Sequence, residues 1–242
     1  MIDINKLKIK IFADGADING ISELNKKKFI KGFTTNPSLM RKSGVEDYKK
    51  FAFEVLKIVN DKPVSFEVFA DDINQMEEQA YEIASWGKNA NVKIPITNTK
   101  GDSTVQLIKK LSNSGVICNV TAIFTTEQLN SVVEVLKSDT PAILSVFAGR
   151  IADSGIDPMS IMQQSVKISK KKNKSSVLWA STREIINIFQ AENAGCQIIT
   201  VPNNILKKIP GIGKDLKENS LDTVSMFYKD ALAAGYKIDV KK

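Results

Sequence analysis

VSFEVFADDINQMEEQAYEIASWGKNANVKIPIT, residues 64–97, reads as one complete strand–helix–strand unit. Its two ends, residues 64–70 and 91–97, are short, apolar and rich in β-branched and aromatic side chains, as strands are. Between them, residues 73–86 repeat apolar positions every three or four residues, the pattern of a helix that packs along one face. A crossover of that length calls for parallel strands. The second strand also carries a charge where none is expected: Lys93, inside Val92-Lys93-Ile94-Pro95-Ile96.

The same alternation extends in both directions. Strand-like segments occupy residues 7–14, 29–35, 115–121, 142–147, 176–181 and 197–201, and helical periodicity fills residues 45–60, 103–114 and 126–137. Eight such units in a chain of 242 residues favour an α/β protein built as a single (β/α)8 TIM barrel over a doubly wound sheet. No Gly- or Ser-rich linker, low-complexity stretch or repeat divides the chain, so residues 1–242 are expected to form one domain. A last helical pattern over 219–237 lies beyond the eighth unit, and is expected to cover the barrel or contact a second subunit.

Composition narrows the chemistry. An apolar fraction of 43% and a charged fraction of 25% are those of an ordinary soluble protein. The N-terminus has no long apolar stretch and no run approaches a membrane span, so the chain reads as cytoplasmic with no membrane partner. Cys118 and Cys196 lie in apolar runs and are expected to be free, small core residues. The net charge of +7 comes mostly from scattered lysine; the arginines are Arg41, Arg150 and Arg183 alone. Scattered lysine mainly keeps a surface soluble, whereas planar phosphate recognition prefers arginine. The runs Lys26–Lys28 and Lys170–Lys172 precede the second and seventh strands, so each is expected to close a helix and complement its dipole. There is no histidine, which removes Ser-His-Asp and Cys-His machinery, histidine-ligated metal and histidine acid–base catalysis.

Barrel strands pack on both faces, so polar residues inside them need a reason. Asp14, Glu67 and Lys93 stand near the C-terminal ends of their strands, and Arg150 just past the sixth. Thr34/Asn36, Asn119/Thr121, Ser145/Phe147 and Trp179/Ser181 are spaced i, i+2, so each pair is expected to face the barrel axis together. Polar groups from most strands thus converge on the end where barrel enzymes assemble their sites. Desolvation in so apolar a strand favours the free amine of Lys93, which attacks carbonyls. From residue type alone a structural ion pair of Lys93 with Glu67 or Asp14 fits equally well. Ser181-Thr182-Arg183-Glu184 has the form of a capping box, and a helix N-terminus bearing Arg183, with Arg150 nearby, would also suit a phosphate.

Gly32-Phe-Thr-Thr-Asn-Pro-Ser-Leu39, Val92-Lys-Ile-Pro-Ile-Thr97, Asn119-Val-Thr-Ala-Ile-Phe-Thr125, Ser145-Val-Phe-Ala-Gly-Arg-Ile151 and Leu178-Trp-Ala-Ser-Thr-Arg183 resemble the successive motifs of the transaldolase family, in family order. The short length resembles the compact transaldolase and fructose-6-phosphate aldolase branch. The resemblance implies that Lys93 forms a Schiff base with a ketose phosphate and that Asp14 accepts the hydroxyl proton as the C–C bond breaks. It implies that Glu67 and Thr121 hold a water for proton transfers, that Thr34, Asn36, Asn119 and Ser145 bind the sugar hydroxyls, and that Phe147 lies beside them. It assigns Arg150, Ser181 and Arg183 to the phosphate, needs neither metal nor organic cofactor, and implies a homo-oligomer acting on sugar phosphates.

Similar aldolases carry Gln at the position of Glu67 and Tyr at that of Phe147, so the pair found here points to transfer rather than cleavage. Two departures, Gly15 after Asp14 and Val146 in place of a common proline, remove no catalytic group but leave room for a divergent substrate. Three alternatives remain: a fructose-6-phosphate aldolase, a non-catalytic sugar-phosphate-binding barrel, and a nucleic-acid binder. The last rests on the net charge and on Ile209-Pro-Gly-Ile-Gly-Lys-Asp215, which resembles one hairpin of a helix-hairpin-helix module. That fragment is short, occurs once and lacks the P-loop spacing, so no nucleic acid is expected.

Overall fold

In the computed structural model, which describes residues 4–240, eight parallel strands hydrogen-bond in sequence order and the eighth closes on the first. They are β1 (Lys10–Asp14), β2 (Ile30–Thr34), β3 (Val64–Glu67), β4 (Ala90–Pro95), β5 (Cys118–Ile123), β6 (Ala142–Val146), β7 (Ser175–Trp179) and β8 (Ile198–Pro202). The helices are α1 (Ile18–Asn25), α2 (Pro37–Lys42), α3 (Tyr48–Ile58), α4 (Ile73–Ser85), α5 (Val105–Asn113) and α6 (Thr126–Val135). They continue with α7 (Ala148–Asp153), α8 (Met159–Ser169), α9 (Asn187–Asn193), α10 (Asn203–Leu206) and α11 (Leu216–Ala233). The expected (β/α)8 TIM barrel with an extra C-terminal helix is therefore what the chain forms.

Local chemistry sets the boundaries. Asp17, Asp47 and Asp72 cap α1, α3 and α4 by accepting backbone N–H groups, and Thr125 with Gln128 makes a reciprocal capping box on α6. The lysine runs fall where expected, Lys26 and Lys170 being the C-caps of α1 and α8. The strand expected over 115–121 begins later, at Cys118, because Gly115 takes a left-handed conformation (φ 82°) to end the turn after α5.

Two apolar layers hold the barrel. The larger lies between strands and helices, where Met76, Ala80 and Ile83 of α4 and Leu107, Ile108 and Leu111 of α5 meet outward residues such as Val92, Ile94 and Val120. The smaller joins Phe12, Ile143, Leu178, Ala180 and Ile198, on the lumen side of four neighbouring strands, β6, β7, β8 and β1. Phe12 leans so far toward β2 that a side-chain carbon on Gly32 would lie 2.6 Å from its ring. Cys118 and Cys196 are buried and unbridged, and burial pushes both thiols up to about 12.

α11 begins at Leu216 with Asp215 as its N-cap, a little before the expected 219. None of its residues is buried, and Val224, Phe227, Tyr228 and Leu232 all stand exposed. The Ile209–Asp215 segment is a 3-10 turn followed by a left-handed Gly213 (φ 80°), joining the four-residue α10 to α11. No helix among the described residues is long and apolar enough to cross a membrane.

Candidate active site

Strand register brings the charged residues to one level. Glu67 lies opposite Lys93 across β3 and β4, Lys93 opposite Asn119, and Asp14 opposite Thr34. Val92 and Ile94 are fully buried toward the helices, so the intervening Lys93 must project into the lumen, where it is 8% exposed. Its ammonium is 2.9 Å from Glu67 Oε2 and donates to the Thr35 carbonyl at 3.1 Å. Of the two ion-pair partners left open by the sequence, Glu67 is the one in direct contact. Tyr48 of α3 donates its hydroxyl to the Glu67 carbonyl at 3.0 Å and fixes that strand end from outside.

Asp14 stands on the neighbouring wall. The Thr34 hydroxyl donates to its Oδ1 at 2.7 Å. Burial raises the Asp14 carboxyl above the ordinary aspartate value; the charge of Lys93 and the Thr34 hydrogen bond oppose that rise, and Glu67 adds to it. Gly15 does not divert the chain: its N–H donates to the Thr34 carbonyl at 3.1 Å, which keeps Asp14 in register.

Asn119 sits deeper than expected. It is fully buried, donates to Ser65 Oγ at 3.0 Å, and accepts from Ser145 Oγ at 2.6 Å. It therefore reaches the cavity through Ser145 rather than lining it. Thr121 does line it, beside a bulge where Ala122 takes φ 58°. The Thr121 hydroxyl is buried without a hydrogen-bond partner among the described residues, so it is free for a molecule held against Glu67 and Lys93. Asn36 caps α2, its side chain accepting the Leu39 N–H with Pro37 in the first turn.

The rim comes from β6 and β7. Phe147 packs beside Phe124 and under the Arg150 guanidinium, whose Cζ is 5.6 Å from the ring centroid. Arg183 donates from Nε at 3.1 Å to the Asp153 carboxylate, which leaves Nη1 outside that pair. Two expectations fail here. Ser181 starts no helix: it is left-handed (φ 65°), α9 begins only at Asn187, and the Asn187 side chain takes the N–H groups of Arg183 and Glu184. Trp179 does not face the axis with Ser181; it packs in the helix-side layer, and Leu178 and Ala180 face the lumen. Ser181 reaches the mouth through its backbone turn. That turn lies against Gly149, where a side-chain carbon would be 1.6 Å from the Ser181 carbonyl.

These groups enclose a cavity of about 580 Å³, within the size range of small-molecule sites. Asp14, Thr34, Asn36, Glu67, Lys93, Thr121, Ser145, Phe147, Arg150, Ser181 and Arg183 all line it. So do Lys42 and Thr200, which the sequence reading passed over. Ser65 was passed over too, although Ser65 and Glu67 have the same i, i+2 spacing that drew attention elsewhere. Among the described residues, no three Cys, Asp or Glu side chains cluster as metal ligands would.

Comparison with known proteins agrees with this architecture. A thiamine phosphate pyrophosphorylase from Pyrococcus furiosus superposes with a TM-score of 0.54 over 83% of this chain and 88% of its own, at 10% identity, a likeness of fold alone. Proteins described as probable transaldolases are nearer in sequence. One from Dehalococcoides mccartyi is 36% identical over 202 residues, 83% of this chain and 90% of the relative. One from a Thermoanaerobacter species is 34% identical over 233 residues, 95% of this chain and 100% of the relative. A family model described as transaldolase/fructose-6-phosphate aldolase matches residues 11–240, nearly the whole barrel and its last helix. With relatives of this similarity running the length of the barrel, the chain belongs to the transaldolase/fructose-6-phosphate aldolase family.

Proposed function

We propose that this protein is a class I transaldolase, moving a dihydroxyacetone unit from a ketose phosphate to an aldose phosphate through a Schiff base on Lys93. The donor is fructose 6-phosphate or sedoheptulose 7-phosphate. One observation carries it: a buried lysine amine, paired with Glu67 and near Asp14, lies in a cavity whose rim holds two guanidinium groups.

The chemistry follows from that placement. Lys93 gives a proton to Glu67 and attacks the ketone carbon of the donor; Glu67 and Thr121, through a water, move the protons needed to expel hydroxide as water and form the iminium. Asp14 then removes the proton of the hydroxyl on C4. The C3–C4 bond breaks, its electron pair passes to the iminium as an enamine, and the first aldose leaves. The enamine carbon adds to the acceptor aldehyde, whose oxygen takes the proton from Asp14, and water hydrolyses the new imine. A base with a raised proton affinity suits this step, because the hydroxyl proton it must hold is weakly acidic. Asn36 and Ser145 bind hydroxyls, Asn119 orients Ser145, and Arg150, Ser181 and Arg183 hold the phosphate. Arg183 meets it with Nη1 while Asp153 keeps the other edge.

Phe147 supports transfer over simple cleavage, since a phenyl ring offers no proton to release free dihydroxyacetone. The same reading carries the protein into the pentose phosphate pathway and the cytoplasm. It makes it a homo-oligomer whose exposed α11 side chains meet a second copy. The decisive experiment is incubation with fructose 6-phosphate, borohydride reduction and peptide mass spectrometry. A reduced sugar adduct on Lys93 is expected; folded protein that forms none over a panel of ketose phosphates removes the catalytic reading.

A further inference from the structure

Thr200, on β8, lies with its hydroxyl 2.5 Å from that of Thr34, which in turn donates to Asp14 Oδ1 at 2.7 Å. Both threonines are buried, at 7% and 2% exposure, and Thr200 lines the cavity. Its backbone is held from the turn that follows β7, since the Thr182 hydroxyl donates to the Thr200 carbonyl at 2.7 Å.

A hydroxyl has one proton to give. An ionised carboxylate only accepts, so the Thr34 proton goes to Asp14 and the Thr34 oxygen must accept from Thr200. The chain of donation therefore runs one way, from Thr200 through Thr34 to Oδ1. We propose that Thr200 is a positioning residue for the reaction, committing Thr34 to Asp14 Oδ1 so that Oδ2 is the oxygen that takes the substrate proton. This rests on the role given to Asp14 under the proposed function.

Few other groups compete for that carboxylate. Lys93 attracts and Glu67 repels it across the lumen. Among the elements packed on β1, the charged side chain of β2, Lys31, is exposed, and β8 and α10 carry no titratable side chain. The threonine chain is thus the direct hydrogen-bonding support of the ionised form. Replacing Thr200 with valine keeps the shape but removes the donor. Thr34 is then free to turn its proton elsewhere, and Asp14 becomes harder to ionise.

The test is the pH dependence of kcat for donor cleavage by the full chain, for the parent, Thr200→Val and Thr200→Ser. The valine variant is expected to move the acidic limb up by about 0.5–1 pH unit, the weight of one hydrogen bond, with little change in KM. The serine variant is expected to overlay the parent. Thr34→Val should move the limb the same way, and adding Thr200→Val to it should move it no further. An unmoved limb in folded Thr200→Val, or a serine variant displaced as far as valine, overturns the proposal. If valine prevents folding, Thr200→Ala, which adds no bulk, takes its place with the same two outcomes. A parent that leaves no sugar adduct on Lys93 overturns the underlying function as well; an adduct with an unmoved limb overturns only the role of Thr200.

Discussion

On four strands of the barrel, one pleat step separates two kinds of lumen. Phe12, Ile143, Leu178 and Ile198 form a dry floor; two residues further along the same strands stand Asp14, Ser145, Ala180 and Thr200. The two sets are about 6.6 Å apart along each strand. The floor carries packing energy, the side chain of Phe12 alone being worth roughly 2–3 kcal/mol on burial. The mouth spends stability instead: it holds a carboxyl whose burial raises its proton affinity, and a lysine that needs Glu67 to be tolerated. A strand can serve both ends because alternation fixes which face a residue takes, while its place along the strand fixes what it meets.

Substitutions can break that division. The largest effect is expected for Lys93→Met, which should lower transfer by about 10⁴-fold or more in a coupled assay of aldose phosphate release, as loss of a covalent catalyst does. Asp14→Asn should cost about 10³-fold in kcat, as loss of a general base does, and yet stabilise the fold. Because the folded Asp14 binds its proton more tightly than the unfolded chain does, the parent loses stability as pH rises through the raised value. Thermal unfolding should therefore show the two proteins alike at low pH and the asparagine variant ahead at neutral pH. Phe12→Ala belongs to the floor and should lower stability by roughly 3 kcal/mol in urea titration, with the remaining folded molecules still turning over. Smallest is Arg183→Lys, expected to raise KM for sugar phosphates about tenfold with kcat little changed, since a lysine cannot hold Asp153 and a phosphate on two edges.

The barrel and its charged residues were easier to read from sequence than the finer arrangement of the mouth. Eight apolar runs spaced by helical periodicity suffice to predict the barrel, and Asp14, Glu67 and Lys93 stand out because a charge in such a run must be compensated. The mouth obeys rules that alternation does not carry. Ser181 and Trp179 share a parity in sequence, but a left-handed Ser181 and the close approach of Gly149 separate them. Asn119 and Thr121 look equivalent, yet one is tied down by Ser65 and Ser145 and the other faces the cavity with a free hydroxyl. Thr200 is a lone threonine among isoleucine and valine, and its worth depends on Thr34, 166 residues away. Partners brought together by barrel closure leave no local trace in the chain.

The floor has a consequence for traffic. With Phe12 and Leu178 2% and 0% exposed, an apolar floor closes the lumen beneath the cavity among the described residues. Under the proposed function donor and acceptor would share that cavity in turn, and both would rest their phosphates on the same doorframe of Arg150 and Arg183. On that proposal the first aldose would depart before the second enters, while the three-carbon fragment waits inside on Lys93. Taking turns would then follow from the architecture, and a crowd of acceptors at the threshold would delay the next donor.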